Sequence, residues 1–464
     1  MTKIFCISAG QLIVKKADNI INRRNRYLNY GLLSLATELK EAGFDTIQIQ
    51  GNFDAPKKTL QTCKQHGIEY TTSPILISIP SFYAIPWVNE FISIVRSIKL
   101  KQKIIIGGRW VINDHPEFLR KLIPDADLIV SGIANGRIID IVRGFDFPQN
   151  KPSNSYPRLD YTLLHERNLY QPSIEISRGC GKMCTFCQEK NEKLQPLKQA
   201  QLVINEAKEI ILNDNLKKMS PYFEASTFAP NGKWAEQLSS LIYQSSLDLK
   251  WRAEARVDSI LPKRLEVLSK AGLKVLDLGL ESASPRQLIR MKKTENPSIY
   301  LSKASDLLKA AFDHNIWVKI NILISAGESC KSIEQTINWL DLHSKYIKGI
   351  SAGPLIIFGL EHSKKYIIDE IENYGATLSH SPTDGVTNIN PSKEINYKRS
   401  IEISQYISKR HMNADDYYQL KSFSYFSRDY EYNDFITDIL STNTILSFDT
   451  TEIKCQAVAY PQLY

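Results

Sequence analysis

No stretch of this 464-residue chain approaches the roughly 20 consecutive apolar residues that cross a bilayer. Its first residues, Met1-Thr2-Lys3-Ile4-Phe5-Cys6-Ile7, lack the long apolar core of a secretory signal. Cysteine is sparse: seven residues are too few and too scattered for a disulfide framework at this length. The expected location is the reducing cytoplasm, with no membrane partner. Basic residues outnumber acidic ones only 58 to 50, and they are spread along the chain, so the net charge of +8 reads as a solvated, mixed surface. No RNA- or DNA-binding module is recognisable, and no nucleic-acid partner is expected. Between Cys187 and His314 there is neither cysteine nor histidine, which leaves a local zinc knuckle without its second ligand pair.

What the chain does contain is a globular balance, 43% hydrophobic and 23% charged, over a length that suits about three domains. One short stretch concentrates chemistry: Cys180-Gly181-Lys182-Met183-Cys184-Thr185-Phe186-Cys187. Three thiolates hold three irons of a [4Fe-4S] cube and leave the fourth iron open to a small molecule. The rival assignments are a zinc site completed from afar, or three unrelated buried thiols.

This spacing, with the aromatic Phe186 before the last thiol, resembles the signature of the radical S-adenosylmethionine (SAM) superfamily. The resemblance implies that Cys180, Cys184 and Cys187 ligate the cluster. It further implies that SAM chelates the free iron through its amino and carboxylate groups, and that one electron cleaves it to a 5′-deoxyadenosyl radical. A reducing partner such as flavodoxin or ferredoxin would supply that electron.

The expected fold class is α/β: an N-terminal doubly wound parallel sheet, then a partial (β/α)6 barrel, then a mixed C-terminal extension. Over residues 1–145, apolar runs at 4–8, 46–50, 75–79, 103–106 and 128–130 alternate with helical patterns at 31–42, 86–98 and 116–123, which predicts the parallel sheet. Tyr30-Gly31-Leu32-Leu33-Ser34-Leu35-Ala36, Ile106-Gly107-Gly108-Arg109 and Asp125-Ala126-Asp127-Leu128-Ile129-Val130-Ser131-Gly132 resemble the cobalamin-binding Rossmann domain that precedes many radical SAM modules. Gly107 and Gly108 would let a ligand or backbone come close. The Asp-x-His-x-x-Gly loop with which many of those domains ligate cobalt is missing; His66 has Lys64 and Glu69 where the Asp and Gly would stand. Cobalamin is therefore the less favoured cofactor, and little of it is expected to accompany the protein.

Residues 146–172, rich in Pro, Asn, Ser and Tyr, read as a linker whose Asp160-Tyr161 and Leu163-Leu164 dock on the next domain. Residues 173–360 repeat strands (173–177, 222–226, 250–254, 274–279, 317–325, 349–358) and helices (200–213, 233–245, 262–271, 285–291, 300–314, 332–343) as a radical SAM partial barrel. Ser284-Pro285-Arg286-Gln287 offers a helix N-cap with a reciprocal Gln. In such a barrel, charged residues at strand ends lie on the active face; elsewhere they would be surface ion pairs. By resemblance, Arg256 lies near the SAM carboxylate or ribose, Gly279-Leu280-Glu281-Ser282 meets the ribose, and Glu224 meets the methionyl ammonium. Gly327-Glu328-Ser329 stands where relatives carry Pro-Gly-Glu-Thr.

Residues 361–464 hold a polar stretch (379–393), a helical run (397–410) and a tail rich in Tyr and Phe, and are expected to close the open side of the barrel. Cys6, Cys63, Cys330 and Cys455 are isolated, so no second cluster is expected. Cys330, just after strand 317–325, is a candidate hydrogen-atom donor; the alternative is a small buried hydrophobe. The functional expectation is hydrogen abstraction from a peptide or peptide-like natural product leading to rearrangement, C–C cleavage or epimerisation, with a leader-peptide-binding accessory protein among the partners. The alternatives are a cobalamin-dependent radical SAM methyltransferase and a non-catalytic Fe-S or SAM-binding regulator.

Overall fold

The computed structural model describes residues 3–12, 19–108, 116–144, 158–190, 192–213 and 220–459. Arg109 and residues 146–157 of the expected linker lie outside the described residues.

Strands β1 (Lys3–Ser8), β2 (Asp45–Gln50), β3 (Ile75–Ser78), β4 (Ile104–Gly107) and β5 (Leu128–Ile129) form a parallel sheet in the order β2-β1-β3-β4-β5. Ile4, Phe5, Cys6 and Ile7 of β1 are completely buried, as a central parallel strand covered by helices on both faces must be. The order changes direction between β1 and β3, and a doubly wound sheet opens a crevice at the carboxyl ends of the strands at that point. Helix Tyr30–Glu41 starts there because the Asn29 side chain accepts the Leu32 N–H at 3.0 Å. The same Asn29 amide donates to the hydroxyls of Ser8 and Ser78, tying the helix start to the ends of both strands.

The second sheet is a six-stranded parallel arc in sequence order: β6 (Ser173–Glu175), β7 (Tyr222–Glu224), β8 (Trp251–Arg256), β9 (Leu273–Glu281), β10 (Trp317–Ile324) and β11 (Gly349–Pro354). In β8 alternation sends Trp251, Ala253 and Ala255 toward the helices and Arg252, Glu254 and Arg256 into the lumen. Trp251 stacks on Phe223 of β7 at 4.3 Å between ring centroids.

Three expectations need correction. The strand expected over 349–358 divides at Leu355: its second half, β12 (Ile356–Phe358), leaves the barrel and joins β13 (Thr377–Ser379) and β14 (Val386–Asn390) in an antiparallel sheet ordered β12-β14-β13. Pro354 has no N–H to offer a further partner, and β11 ends as an edge strand. Helix Glu361–Glu372 and strand β13 form before residue 379, where no element was read, and β14 forms within 379–393, read only as a polar stretch. The Ser284 capping box does not form, because the Gln287 amide donates instead to the Ala326 carbonyl at 3.0 Å, across to the loop after β10.

One apolar cluster runs from Ile4, Leu33 and Ile141 under the first sheet, through Tyr161, Leu163 and Leu164, to Phe223, Trp251 and Ile350 of the barrel. The segment from residue 158 joins the two sheets. Asp160 pairs with Lys40 at 2.6 Å, the Tyr161 hydroxyl donates to the Ser173 carbonyl at 2.7 Å, and Leu164 bridges to Gln48 at the β2 edge. His66 lies 3.1 Å from His165 of this segment, Nε2 to Nδ1. At the C-terminal end, helix Tyr397–Arg410 packs on β11, and the Leu420 carbonyl accepts from Arg252 inside the barrel at 2.8 Å.

Candidate cluster and cofactor site

The loop after β6 carries the three thiols. It is held by backbone bonds to the segment that returns beside it: Cys180 and Gly181 donate to the Glu192 carbonyl at 3.2 and 2.8 Å, and Gln195 donates to that of Arg178 at 2.8 Å. Gly179 is at φ +69, and a Cβ there would stand 2.2 Å from the Lys193 carbonyl oxygen, so no other residue fits without moving the loop. Each thiol has a positive partner: Arg256 Nη1 lies 3.0 Å from Cys184 Sγ, the Glu189 N–H lies 3.4 Å from Cys187 Sγ, and the Lys182 N–H faces Cys180. Burial pushes the Cys187 thiol up to about 11 and raises that of Cys180, with Arg256 pulling the latter down. Among the described residues no group of three His, Cys, Asp or Glu converges on a single-ion site. Three thiols in electrostatic reach of one another, each with an N–H donor, fit a cluster in which each sulfur takes its own iron.

At the end of β9 the Glu281 backbone turns to φ +68, a left-handed conformation that costs a non-glycine residue about 1–2 kcal/mol. The turn aims its carboxylate at Lys293, 2.9 Å away and 4% exposed. Gly279 makes room for this pair: a Cβ would stand 2.7 Å from Glu281 Oε1 and 3.2 Å from Lys293 Nζ. Arg256 completes the group, donating to Asp258 at 2.8 Å and to the Lys293 carbonyl at 2.8 Å. Glu281, Gly279 and Arg256 are thus brought together beside Cys184, along with Lys293, which the sequence reading missed. Ser282 turns away: its hydroxyl bonds Thr336 in the helix layer. Replacing Glu281 by Ala strands a buried ammonium, and SAM binding is expected to weaken by about 1–3 kcal/mol at unchanged iron content. Equilibrium dialysis of SAM against the reconstituted variant measures it.

Glu224 lies across the lumen, accepting from the Ser173 hydroxyl at 2.7 Å; burial, with Glu175 and Glu254 adding to it, lifts its carboxyl to about 7. Glu254 of β8, on the lumen-facing side of the strand and accessible to solvent, lies in electrostatic reach of Lys319, Glu281 and Lys293. Desolvation and the neighbouring Asp277 raise it to about 7 against the pull of Lys319. Glu254 was also missed, although the strict charged/apolar alternation of Trp251-Arg252-Ala253-Glu254-Ala255-Arg256 is a signal, since buried parallel strands otherwise read as continuous apolar runs. Cys330, the proposed hydrogen donor, is exposed at the first turn of helix Cys330–Leu342, and its backbone N–H bonds Glu394. It lies on the outside of the helix layer.

Glu328, 2% exposed, accepts from the Ser332 hydroxyl, and burial raises its carboxyl to about 7. The folded chain therefore keeps this proton between about pH 4.5 and 7 while the unfolded chain loses it, so stability falls as pH rises through that window. The Tm of wild type should drop from pH 5 to 8, and Glu328→Gln should flatten that slope; differential scanning calorimetry at both pH values checks it.

A cavity of about 520 Å3 opens at the carboxyl ends of β1, β3 and β4 and extends to the ends of β6 and β7. Asn29, Gln50, Gly107, Gly108 and Gly132 line one side; Glu175, Arg178, Glu224 and Glu189, two residues past Cys187, line the other. Gln50 accepts the Asn29 N–H at 2.8 Å, and its side chain also bears on the Tyr170 hydroxyl. Gly107 and Gly132 face open space, whereas Gly108 (φ +146) is packed against the Ile79 carbonyl, 2.3 Å from where its Cβ would be. Among the described residues no histidine lines this cavity. A crevice at the switch point with amide side chains and open glycines in its wall, and no imidazole among its described lining residues, fits a large, amide-bearing cofactor.

Residues 174–340 match the Radical SAM superfamily model. The chain contains a radical SAM domain. An uncharacterized methyltransferase of Pyrococcus horikoshii is 25% identical over 281 residues, covering 53% of this chain and 59% of the relative, so the match spans less than two thirds of that protein. In fold, the chain is similar to the radical SAM methyltransferase TsrM from Kitasatospora setae, solved with cobalamin and a [4Fe-4S] cluster (TM-score 0.57, 15% identity, 76% of this chain and 72% of that one). It is likewise similar to the cobalamin-dependent SAM radical enzyme OxsB with aqua-cobalamin bound (TM-score 0.57, 16% identity, 80% and 56%). In this chain a five-stranded parallel sheet precedes the radical SAM domain. Among the described residues no helix is long and apolar enough to cross a membrane.

Proposed function

We propose that the protein is a cobalamin-dependent radical SAM methyltransferase acting on a small molecule. The observation that carries this reading is the cavity at the β1/β3 switch point whose far wall is the radical SAM domain, reaching Arg178 and Glu189 on either side of the three thiols. When bound, the cluster supplies the electron that cleaves SAM and cobalamin supplies a methyl carrier. Cys180, Cys184 and Cys187 would hold the cluster. Glu281, Lys293 and Arg256 would orient SAM beside it, and Asn29, Gln50 and the open Gly107 and Gly132 would receive the corrin. The raised carboxyls of Glu224 and Glu254, both near 7, can each accept or hold a proton near neutral pH.

This reading reverses the weight given to cobalamin from sequence, where a missing histidine counted against it; the cavity and the methyltransferase relatives support the cofactor. Peptide maturation by rearrangement, cleavage or epimerisation is not favoured by any feature of the cavity, whose volume suits small molecules. A flavodoxin- or ferredoxin-type donor remains the proposed electron source. The test is anaerobic purification from cells supplied with cobalamin, followed by reconstitution and reduction with SAM. Near-stoichiometric corrin and S-adenosylhomocysteine among the products support the proposal. Absence of corrin, with 5′-deoxyadenosine alone, overturns it.

A further inference from the structure

The wall of the switch-point cavity nearest β5 belongs to a loop that its own strand holds weakly. β5 is two residues long at the sheet edge, pairing Leu128 and Ile129 with β4, and the Val130 N–H carries the pairing one step further to the Ile106 carbonyl at 2.8 Å. In the loop that follows, residues 131–137, Gly132 and Gly136 both stand at φ +74. Two left-handed glycines give such a segment much conformational freedom to lose on ordering. Gly132, Ile133, Ala134 and Asn135 nonetheless line the cavity, as Gly31 and Leu35 of helix Tyr30–Glu41 do.

Glu38 of that helix ties the loop down. One carboxylate oxygen accepts from the Asn135 side-chain amide at 2.5 Å, and the other accepts the Gly136 N–H at 2.9 Å. The same amide donates to the Ser34 hydroxyl at 3.0 Å, which donates in turn to the Gly31 carbonyl at 2.8 Å. Asn135 and Ser34 are buried, so water competes little for these bonds. The helix is itself fixed along its length: Asn29 binds it to the ends of β1 and β3, the Thr37 hydroxyl accepts the Asp160 N–H at 2.9 Å, and Lys40 pairs with Asp160. Glu38 is not among the described residues that line the cavity, so its influence there passes through the loop.

Resting on the corrin reading given above, we infer that Glu38 is a positioning residue for that cofactor, one that holds loop 131–137 against the helix so that this wall of the cavity is formed in advance. A loop that must be ordered as a ligand binds weakens binding by the free energy that ordering takes, and a carboxylate that has already ordered it removes that loss. The polarity of the contact supplies a specific check. Asn135→Asp alone sets two carboxylates against each other. Asn135→Asp combined with Glu38→Gln exchanges donor and acceptor: the new amide donates to the new carboxylate, its carbonyl still accepts the Gly136 N–H, and the Ser34 hydroxyl can rotate to donate.

The test loads the cluster-reconstituted full chain with hydroxocobalamin and follows its release by ultrafiltration and absorbance. Glu38→Ala should speed release about tenfold, the loss of one charge-assisted contact, at unchanged iron content and SAM binding. Glu38→Gln, which keeps one acceptor oxygen, should fall between it and wild type. Asn135→Asp should be as leaky as Glu38→Ala, and the double variant should return to within about twofold of wild type. Gln102→Ala is the control for general destabilisation. It deletes bonds to the Ile68 and Thr71 carbonyls at the amino end of β4, opposite the cavity, and should lower the thermal midpoint without speeding release. Wild-type release from Glu38→Ala, a double variant as leaky as Asn135→Asp, or equal leakage from Gln102→Ala overturns the inference alone. Wild type that retains no hydroxocobalamin overturns the proposed function and this inference with it.

Discussion

Replacing Cys180, Cys184 and Cys187 together by alanine is expected to abolish the broad visible absorption of the reconstituted protein and all reductive cleavage of SAM, while the chain stays folded. Wild type should hold about four irons and four sulfides, the content of one three-thiolate cube. The fold survives because the loop does not depend on its sulfurs for shape: Cys180, Gly181 and Gln195 hold it by backbone bonds, and Thr185 donates to the Met291 carbonyl at 3.1 Å. The chromophore does depend on them, since no other cysteine can take over; Cys330 and Cys455 are exposed elsewhere, and Cys6 and Cys63 are sealed in the N-terminal core. Iron analysis, absorption spectra and circular dichroism of the triple variant decide the matter. A cluster spectrum that persists would remove the assignment.

The second large effect is expected from a single glycine. Gly107→Phe places a ring in the cavity at the end of β4, where an added Cβ meets nothing within 4 Å. The variant should fold with stability changed by no more than about 1 kcal/mol. Its corrin content should fall at least about tenfold, because the ring takes the volume the cofactor needs. The neighbouring Gly108→Ala is the contrast: its Cβ would stand 2.3 Å from the Ile79 carbonyl oxygen at φ +146, so it should destabilise the sheet by about 1–3 kcal/mol. Corrin absorbance of the purified proteins, together with their thermal midpoints, separates blocking from unfolding. Full corrin occupancy in Gly107→Phe would move the cofactor elsewhere.

Much of this could be read from the chain because it is local. Three thiols within eight residues declare themselves by spacing, and alternating apolar runs and helical patterns give the parallel sheets. Glu281 was found from Gly279-Leu280-Glu281-Ser282, but its partner Lys293 was not, since it lies beyond an intervening helix in a loop with no pattern of its own. The buried network in which Asp277 meets Arg252 at 2.5 and 2.7 Å and Lys319 at 2.8 Å was invisible for a related reason. It exists only because β8, β9 and β10 pair in register, with Lys319 beside Asp277. Cys330 misled because proximity to a strand end says nothing about which way the following helix turns its first residue. The absent Asp-x-His-x-x-Gly loop was the feature the sequence weighed against cobalamin, and the cavity at the switch point was invisible there, since it is built from an Asn, a Gln and glycines that carry no motif.

The apolar cluster that passes without a break from Ile4 and Leu33 through Tyr161, Leu163 and Leu164 to Phe223 and Ile350 has a consequence for how the protein can be cut and recombined. The two sheets are not portable modules. A barrel fragment starting at Ser173 would leave the Tyr161 contact to Ser173 and its share of that cluster open to water, and a first-sheet fragment ending near Gly144 would bare the Gln48 edge. A chimera that exchanges the N-terminal sheet for that of a relative should be soluble only when the seam is moved so that residues 158–170 travel with the barrel and the incoming sheet is given an apolar face to match them.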